Sequence, residues 1–192
     1  MQIQKDEVRE KIITVAELEF LNKGFKGASM RTIAKKAHTT LGNMYNYFES
    51  KEAILDEVVG HVPKAIEEMM ANHEKMEIIE EMPEMEMLSR LEKLAPEVFG
   101  FDVLLSKPFV ILMEGCKDTK YEAYSKQFYE IANQHMKQHL GEGKELLGET
   151  ISHSFITALL FIGKNKANLE EGKKALIKYI EVIILGIVAS KQ

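Results

Sequence analysis

The chain has 192 residues, 45% of them hydrophobic and 29% charged, enough for one or two compact cores. Its longest uninterrupted apolar stretch, Val182 to Ala189, is far too short for a membrane span, and its one cysteine, Cys116, excludes an internal disulfide. The N-terminus, Met1 to Glu7, lacks the apolar core of a signal peptide, so the cytoplasm is the expected compartment and no membrane partner is expected.

The formal net charge of −5 is unevenly spread. Residues 1–60 hold nine basic and nine acidic side chains, so residues 61–192 carry the whole deficit. Between Phe20 and Phe48 there are five cations (Lys23, Lys26, Arg31, Lys35 and Lys36) and no Asp or Glu. Phosphates repel the acidic remainder and attract this window, which points to nucleic acid.

In chain order, the first helix is predicted over about Asp6 to Lys23, with Ile12, Ile13, Ala16, Phe20 and Leu21 as its inward stripe. Gly24 supplies its stop. Ser29 then caps a second helix, whose Ile33, Ala34 and Ala37 pack inward while Arg31, Lys35 and Lys36 remain available to solvent or phosphate. His38 occupies a sharp turn where positive φ is expected. Thr39 or Thr40 caps a very short third helix with Met44 and Phe48 facing the core, leaving Leu41, Gly42, Asn43, Tyr45, Asn46 and Tyr47 for the rim and outward face. Hydroxyls and amides suit phosphate contacts, and asparagine also pairs with an adenine edge. Gly42 costs a helix about 0.8 to 1 kcal/mol relative to alanine, a cost that a close backbone approach to DNA would offset. Ser50 caps a fourth helix and sets Lys51 beside its free amides, a phosphate-binding arrangement.

Three segments together resemble the N-terminal domain of TetR/AcrR-type transcriptional regulators. They are Arg9 to Phe25 with its spaced Ile12, Ile13, Ala16, Phe20 and Gly24, then Ile33-Ala34 and Ala37, then Leu41-Gly42-Asn43-Met44-Tyr45-Asn46-Tyr47-Phe48 followed by Ser50-Lys51-Glu52. The resemblance covers roughly the first 55 residues. It implies an all-α fold: an N-terminal three-helix helix-turn-helix DNA-binding domain over 1–48, then a larger C-terminal helical effector-binding and dimerisation domain over 49–192, joined by the Ser50–Gly60 helix. It also implies a homodimer on a palindromic double-stranded operator, with Arg31, Tyr45, Tyr47 and Lys51 on the DNA backbone and Leu41, Gly42 and Asn43 at base edges. Thr40 and Asn46 complete the DNA-contacting set. Two positions depart from the family pattern: His38 stands where glycine is customary, and Leu41 where lysine is frequent.

Beyond residue 60, His61-Val62-Pro63 marks a break. The stretch Glu67 to Glu92 holds nine glutamates and six of the eleven methionines (69, 70, 76, 82, 85 and 87), ordinarily core filler but also suited to an adaptable apolar cavity. The resemblance places a small-molecule effector of unknown identity among the middle helices, with Met70, Phe101, Phe109, Met113, Tyr124 and Phe128 as candidate liners against a background of ordinary packing. Cys116 reads as a small buried hydrophobe rather than a sensor thiol. His135 and His139 are one turn apart, yet no third ligand or glutamate base accompanies them, so neither a metal nor another cofactor is expected.

The last two helices, Ile151 to Phe161 and Ala175 to Val188, are apolar on more than one face. Phe155, Leu159, Leu176, Ile180, Ile183, Ile184 and Ile187 are the candidate dimer surface, since a two-fold bundle would bury so wide a stripe and present two recognition helices one helical turn apart. No Ser-His-Asp, paired-carboxylate or metal constellation supports an enzyme. The sequence therefore predicts a repressor released from DNA by a small, largely apolar ligand; the competing expectation is an architectural or adaptor protein that uses the same DNA unit without an effector.

Overall fold

A computed structural model describes residues 2–74 and 100–189. The candidate methionines 76, 82, 85 and 87 lie outside the described residues. Among those described, every regular element is helical and none is a strand: α1 (Gln2–Gly27), α2 (Met30–Lys36), α3 (Leu41–Met44), α4 (Lys51–Val59), α5 (Val62–Glu74), α6 (Phe101–Leu104), α7 (Lys107–Val110), a π turn over Ile111–Gly115, α8 (Glu122–Leu140), α9 (Glu145–Asn165) and α10 (Leu169–Ala189).

Two units pack separately, the first made of Met1–Pro63 and Lys107–Ser125 and the second of Lys64–Ser106 and Lys126–Gln192. In the first, the α1 stripe Ile12, Ala16 and Phe20 is fully buried beside Ile33, Met44, Ile54 and Val59. The α4 helix packs on α1, so by packing it belongs with the helix-turn-helix rather than with the helices of the second unit. Also on α1 lie α7 and the π turn, where Phe109, Val110, Ile111 and Leu112 are all but inaccessible. Ion pairs add to that contact: Lys107 to Glu17 at 3.3 Å, Lys120 to Asp56 at 2.8 Å, and Lys26 to Asp118.

Gly24 is where α1 breaks, with φ 65° and ψ 173°, a region open in practice only to glycine. The carbonyl of Gly115 sits beside it, 3.4 Å from where a Cβ would stand. His38 has φ 56°, the left-handed turn conformation that the sequence places there. Thr40 and Ser50 cap α3 and α4 by accepting the amides of Asn43 and Ala53, each at 3.1 Å. Ser29 holds the cap position of α2 in an extended conformation, but its hydroxyl makes no capping bond, so the cap there is conformational only.

The second unit is organised by α9 and α10, which pack on each other. By length and hydropathy α9 is apolar and long enough to cross a membrane; its buried residues Gly148, Ser152, Ile156, Leu159, Leu160 and Gly163 form a stripe along one face. Ser152 satisfies its buried hydroxyl by sharing its one proton between the carbonyls of Gly148 and Ala132, at 2.8 and 3.0 Å. Lys166 closes the end of α9 by donating to Gly163 O at 2.7 Å and to Leu105 O. Lys173 pairs with Asp102 at 2.7 Å, tying α6 to α10.

One expectation fails in the first unit. Lys36 does not stand free: Glu19, only 1% exposed, accepts from Lys23 at 2.6 Å and from Lys36 at 2.7 Å. Glu19 lies one residue before the acid-free window begins, and helical spacing turns it inward beneath the window. The two lysines hold its carboxyl below the usual value of 4.5. A folded-state value lower than the unfolded one stabilises the fold above that range and loses its effect as pH falls through the folded value. Thermal melts from pH 7 to 3 should therefore show a steeper decline for the wild type than for Glu19→Gln. At pH 7 the variant should be less stable by about 1 to 2 kcal/mol, because each lysine head is half in water.

Candidate nucleic-acid interface

The window between Phe20 and Phe48 presents fewer free cations than its composition implies. Lys23 and Lys36 are held by Glu19, and Lys26 by Asp118. Arg31 and Lys35, both exposed on α2, have no partner among the described residues. Lys51 is also committed: its ammonium donates to Phe25 O at 2.6 Å and Ala28 O at 3.0 Å, and lies 4.2 Å from the Phe25 ring centroid. It ties α4 to the end of α1 and the α1–α2 connection, leaving one of its three donors for a phosphate.

The short α3 and the turn after it show a different pattern, with two tyrosine hydroxyls free of hydrogen-bond partners among the described residues and two asparagines bonded to neighbours. Tyr45 is 52% exposed, Asn46 and Gly42 are exposed, and Leu41, Asn43 and Tyr47 are half-buried. Met44 and Phe48 pack inward as the sequence predicts. Asn43 donates from Nδ2 to Thr39 Oγ1 at 2.8 Å, and its Oδ1 accepts from Asn46 at 3.4 Å. Thr39 thus orients the amide while Thr40 caps the helix, dividing between two threonines the choice the sequence left open.

Gly42 is informative through its surroundings. A Cβ built there would meet nothing within 4 Å, and its φ is not positive. Neither crowding within the chain nor backbone conformation requires a glycine at this position, so the fold itself does not explain the residue.

The candidate effector liners are divided between the two units. Phe109, Met113 and Tyr124 belong to the first, where Phe109 is fully buried and Tyr124 lies 6.0 Å from Tyr121, centroid to centroid. Met70, Phe101 and Phe128 belong to the second, the two phenylalanines buried and Met70 half-buried. Burial pushes the Cys116 thiol up to about 12, so no thiolate forms at neutral pH. Burial, and next the nearby Asp56 carboxylate, raise the Tyr121 hydroxyl well above its usual value. No cluster of three or more His, Cys, Asp or Glu able to hold a metal occurs among the described residues; the side chain of His139 lies outside them.

Of the candidate dimer residues, Leu159 and Leu176 are completely buried inside this chain, their apolar surface already covered. Phe155, Ile180, Ile183, Ile184 and Ile187 are half-buried. The most exposed apolar side chains on these two helices, apart from those at the start of α9, are Phe161 (67%), Val182 (68%) and Leu185 (50%). None of the three stands out in the sequence. Val182 and Leu185 are one helical turn apart on α10, a signal that is present but submerged in an apolar stripe too broad to divide by eye.

Comparison with known proteins finds matches along the N-terminal half of the first unit and beyond. Residues 12–58 match the bacterial regulatory proteins of the tetR family. The HTH-type transcriptional regulator UidR of Escherichia coli (strain K12) is 24% identical over 146 residues, which are 76% of this chain and 70% of that protein. Among solved structures, NalD of Pseudomonas aeruginosa, the secondary repressor of the MexAB-OprM multidrug efflux pump, is 19% identical, with 90% of this chain and 94% of that one covered at a TM-score of 0.40. A transcriptional regulator of Aquifex aeolicus VF5 is 24% identical, with 92% and 99% covered at a TM-score of 0.43.

Gly42→Ala separates fold from contact. With open space for the new methyl, the variant should melt higher, by a few tenths to about 1 kcal/mol in stability. A DNA backbone or base edge approaching Gly42 would meet the methyl, so affinity for cognate DNA should fall about tenfold or more. Equal or tighter DNA binding would remove close approach as the reason for the glycine.

Proposed function

We infer that this chain, a DNA-binding transcriptional regulator with a TetR-type N-terminal domain and not an enzyme, is a homodimeric repressor released from a palindromic operator by a small, largely apolar ligand. The observation that carries the reading is the contrast on the first unit's surface. Its lysines are largely engaged by Glu19, Asp118 and main-chain carbonyls, while the Tyr45 and Tyr47 hydroxyls have no hydrogen-bond partner among the described residues and Gly42 faces open space. A surface kept merely for solvation has no need of two tyrosines, two asparagines and an unexplained glycine within six residues.

In the proposed complex α3 lies in the major groove, with Leu41, Gly42 and Asn43 at base edges. Arg31, Tyr45, Tyr47, Asn46 and Thr40 contact the phosphate backbone, Arg31 as the principal cation. Lys51 contributes its remaining donor. Dimerisation through Phe161, Val182 and Leu185, with the half-buried Phe155, Ile180, Ile183, Ile184 and Ile187 beside them, would cover the exposed apolar surface of α9 and α10 and set two α3 helices on two half-sites. A DNA partner implies a cytoplasmic protein.

Effector release requires a ligand that binds the DNA-incompetent state better than the competent one, and DNA must then weaken ligand binding by the same factor. The buried aromatic side chains Phe101 and Phe128, with Met70, are the second unit's contribution to a ligand site. Phe109, Met113 and Tyr124 lie in the first unit. The competing reading is an effector-independent architectural or adaptor protein. Titration of the DNA complex with apolar small molecules separates the two readings, since only a repressor of this kind dissociates.

Phe161→Glu combined with Val182→Glu should convert a dimer into a monomer in sedimentation velocity. Affinity for a two-half-site duplex should fall at least a hundredfold, while binding to a single half-site changes little. Arg31→Ala should lower the slope of log K against log salt by about 1, the loss of one phosphate contact. Full-affinity binding by a monomer, or an unchanged slope, would overturn the respective assignment.

A further inference from the structure

The first turn of α3 is wired as a base reader of restricted choice. Asn43 sits in a chain of side-chain bonds, Thr39 Oγ1 to Asn43 at 2.8 Å and Asn43 to Asn46 at 3.4 Å. A carboxamide has two N–H donors and an oxygen with two lone pairs. One donor goes to Thr39 and one lone pair to Asn46, so one N–H and one lone pair remain. If the amide is turned over, with its oxygen on the Thr39 hydroxyl and its nitrogen on the Asn46 oxygen, the remainder is the same.

One donor and one acceptor on a single planar group is the complement of adenine, whose major-groove edge offers N7 as acceptor and N6–H as donor. Guanine offers two acceptors there, and cytosine a donor alone. Beside it, Leu41 is half-buried and carries no hydrogen-bonding group on its side chain. The sole apolar feature of the major-groove edge is the thymine methyl. Gly42 lies between them with open space over its Cα, so no side chain holds this turn away from the bases. The scarcity of free cations in the window sharpens the point: Arg31 and Lys35, the two without partners, lie on α2 and not α3. Arginine and lysine are the residues that most often read guanine, and α3 has neither.

We propose that Asn43 and Leu41 make this protein a reader of A·T pairs, Asn43 taking an adenine edge and Leu41 a thymine methyl in each operator half-site. This rests on the reading of α3 as the recognition helix and names the class of sequence it selects. Thr39 is then a positioning residue, which fixes the plane of the Asn43 amide.

The full-length protein is used to select duplexes from a random-sequence library, in parallel with Asn43→Ala, Asn43→Asp and Leu41→Ala. The wild type should enrich a motif with at least one strongly preferred A·T position per half-site, and that preference should vanish in Asn43→Ala while the rest of the motif persists. In Asn43→Asp, which presents only acceptors, the same position should turn towards C·G, because the cytosine amino group is then the favoured partner. Replacing the preferred adenine by 7-deaza-adenine should weaken wild-type binding about tenfold or more and leave Asn43→Ala nearly unaffected. Exchanging thymine for uracil should weaken the wild type severalfold and Leu41→Ala hardly at all. A motif that the Asn43 variants leave unchanged, or one in which they abolish a G·C preference, overturns the assignment and leaves the DNA-binding reading intact. No enrichment from the library by the wild-type protein overturns the recognition-helix reading itself, and this inference with it.

Discussion

A carboxylate buried beneath a basic surface sets the terms for the DNA-binding unit. Glu19 is almost wholly removed from water, and burying an isolated charge is costly unless it is paired and hydrogen-bonded. Both of its oxygens are paired, Oε1 with Lys23 on the same helix and Oε2 with Lys36 on the next. The second bond is the consequential one, because it links α1 to the last turn of α2 and so fixes the platform from which α3 departs. The lysine heads remain half in solvent, which lowers their own desolvation cost and lets the pair form without a closed ionic core.

The same pairing of leftover polar groups governs the neighbouring contacts. Lys51 fastens α4 to the carbonyls of Phe25 and Ala28, groups left over where α1 breaks and the chain turns into α2. Gly24 makes that break in a conformation closed to other residues, and the Gly115 carbonyl packs beside it. The segment Lys107–Ser125 is thereby built into the DNA-binding unit, held by buried apolar side chains and three ion pairs, although in sequence it belongs to the middle of the chain. A signal that moved this segment would act on α1 and α4 directly, with no separate relay.

Much of the first unit was legible in the sequence because its signals are local. Glycine at 24, positive φ at 38, threonine and serine caps at 40 and 50, and the inward pair Met44 and Phe48 each arise from the chemistry of one or two neighbouring residues. The fate of the cations was not legible. Lys36 lies seventeen positions from Glu19 and Lys26 meets Asp118 across ninety-two, so only the tertiary fold reveals that these charges are already paired. The packing of α9 and α10 was hidden for a different reason. Their sequences are apolar on several faces, so periodicity alone could not separate Leu159 and Leu176, covered within the chain, from Phe161, Val182 and Leu185, left outside.

Few free cations beside an open polar helix has an energetic consequence. Each phosphate contact contributes to binding at every sequence alike, so a surface with many lysines gains affinity without discrimination. Here the carboxylates of Glu19 and Asp118 offset two of the window's five positive charges, and the three lysines they pair with also serve as structural ties. The non-specific background falls, and the free energy that distinguishes one site from another shifts onto neutral groups whose bonds depend on the base presented. In the proposed docking such a protein would bind random DNA weakly and depend on the fit of a short helix, where one methyl at Gly42 or one lost amide at Asn43 would count for more than one surface lysine.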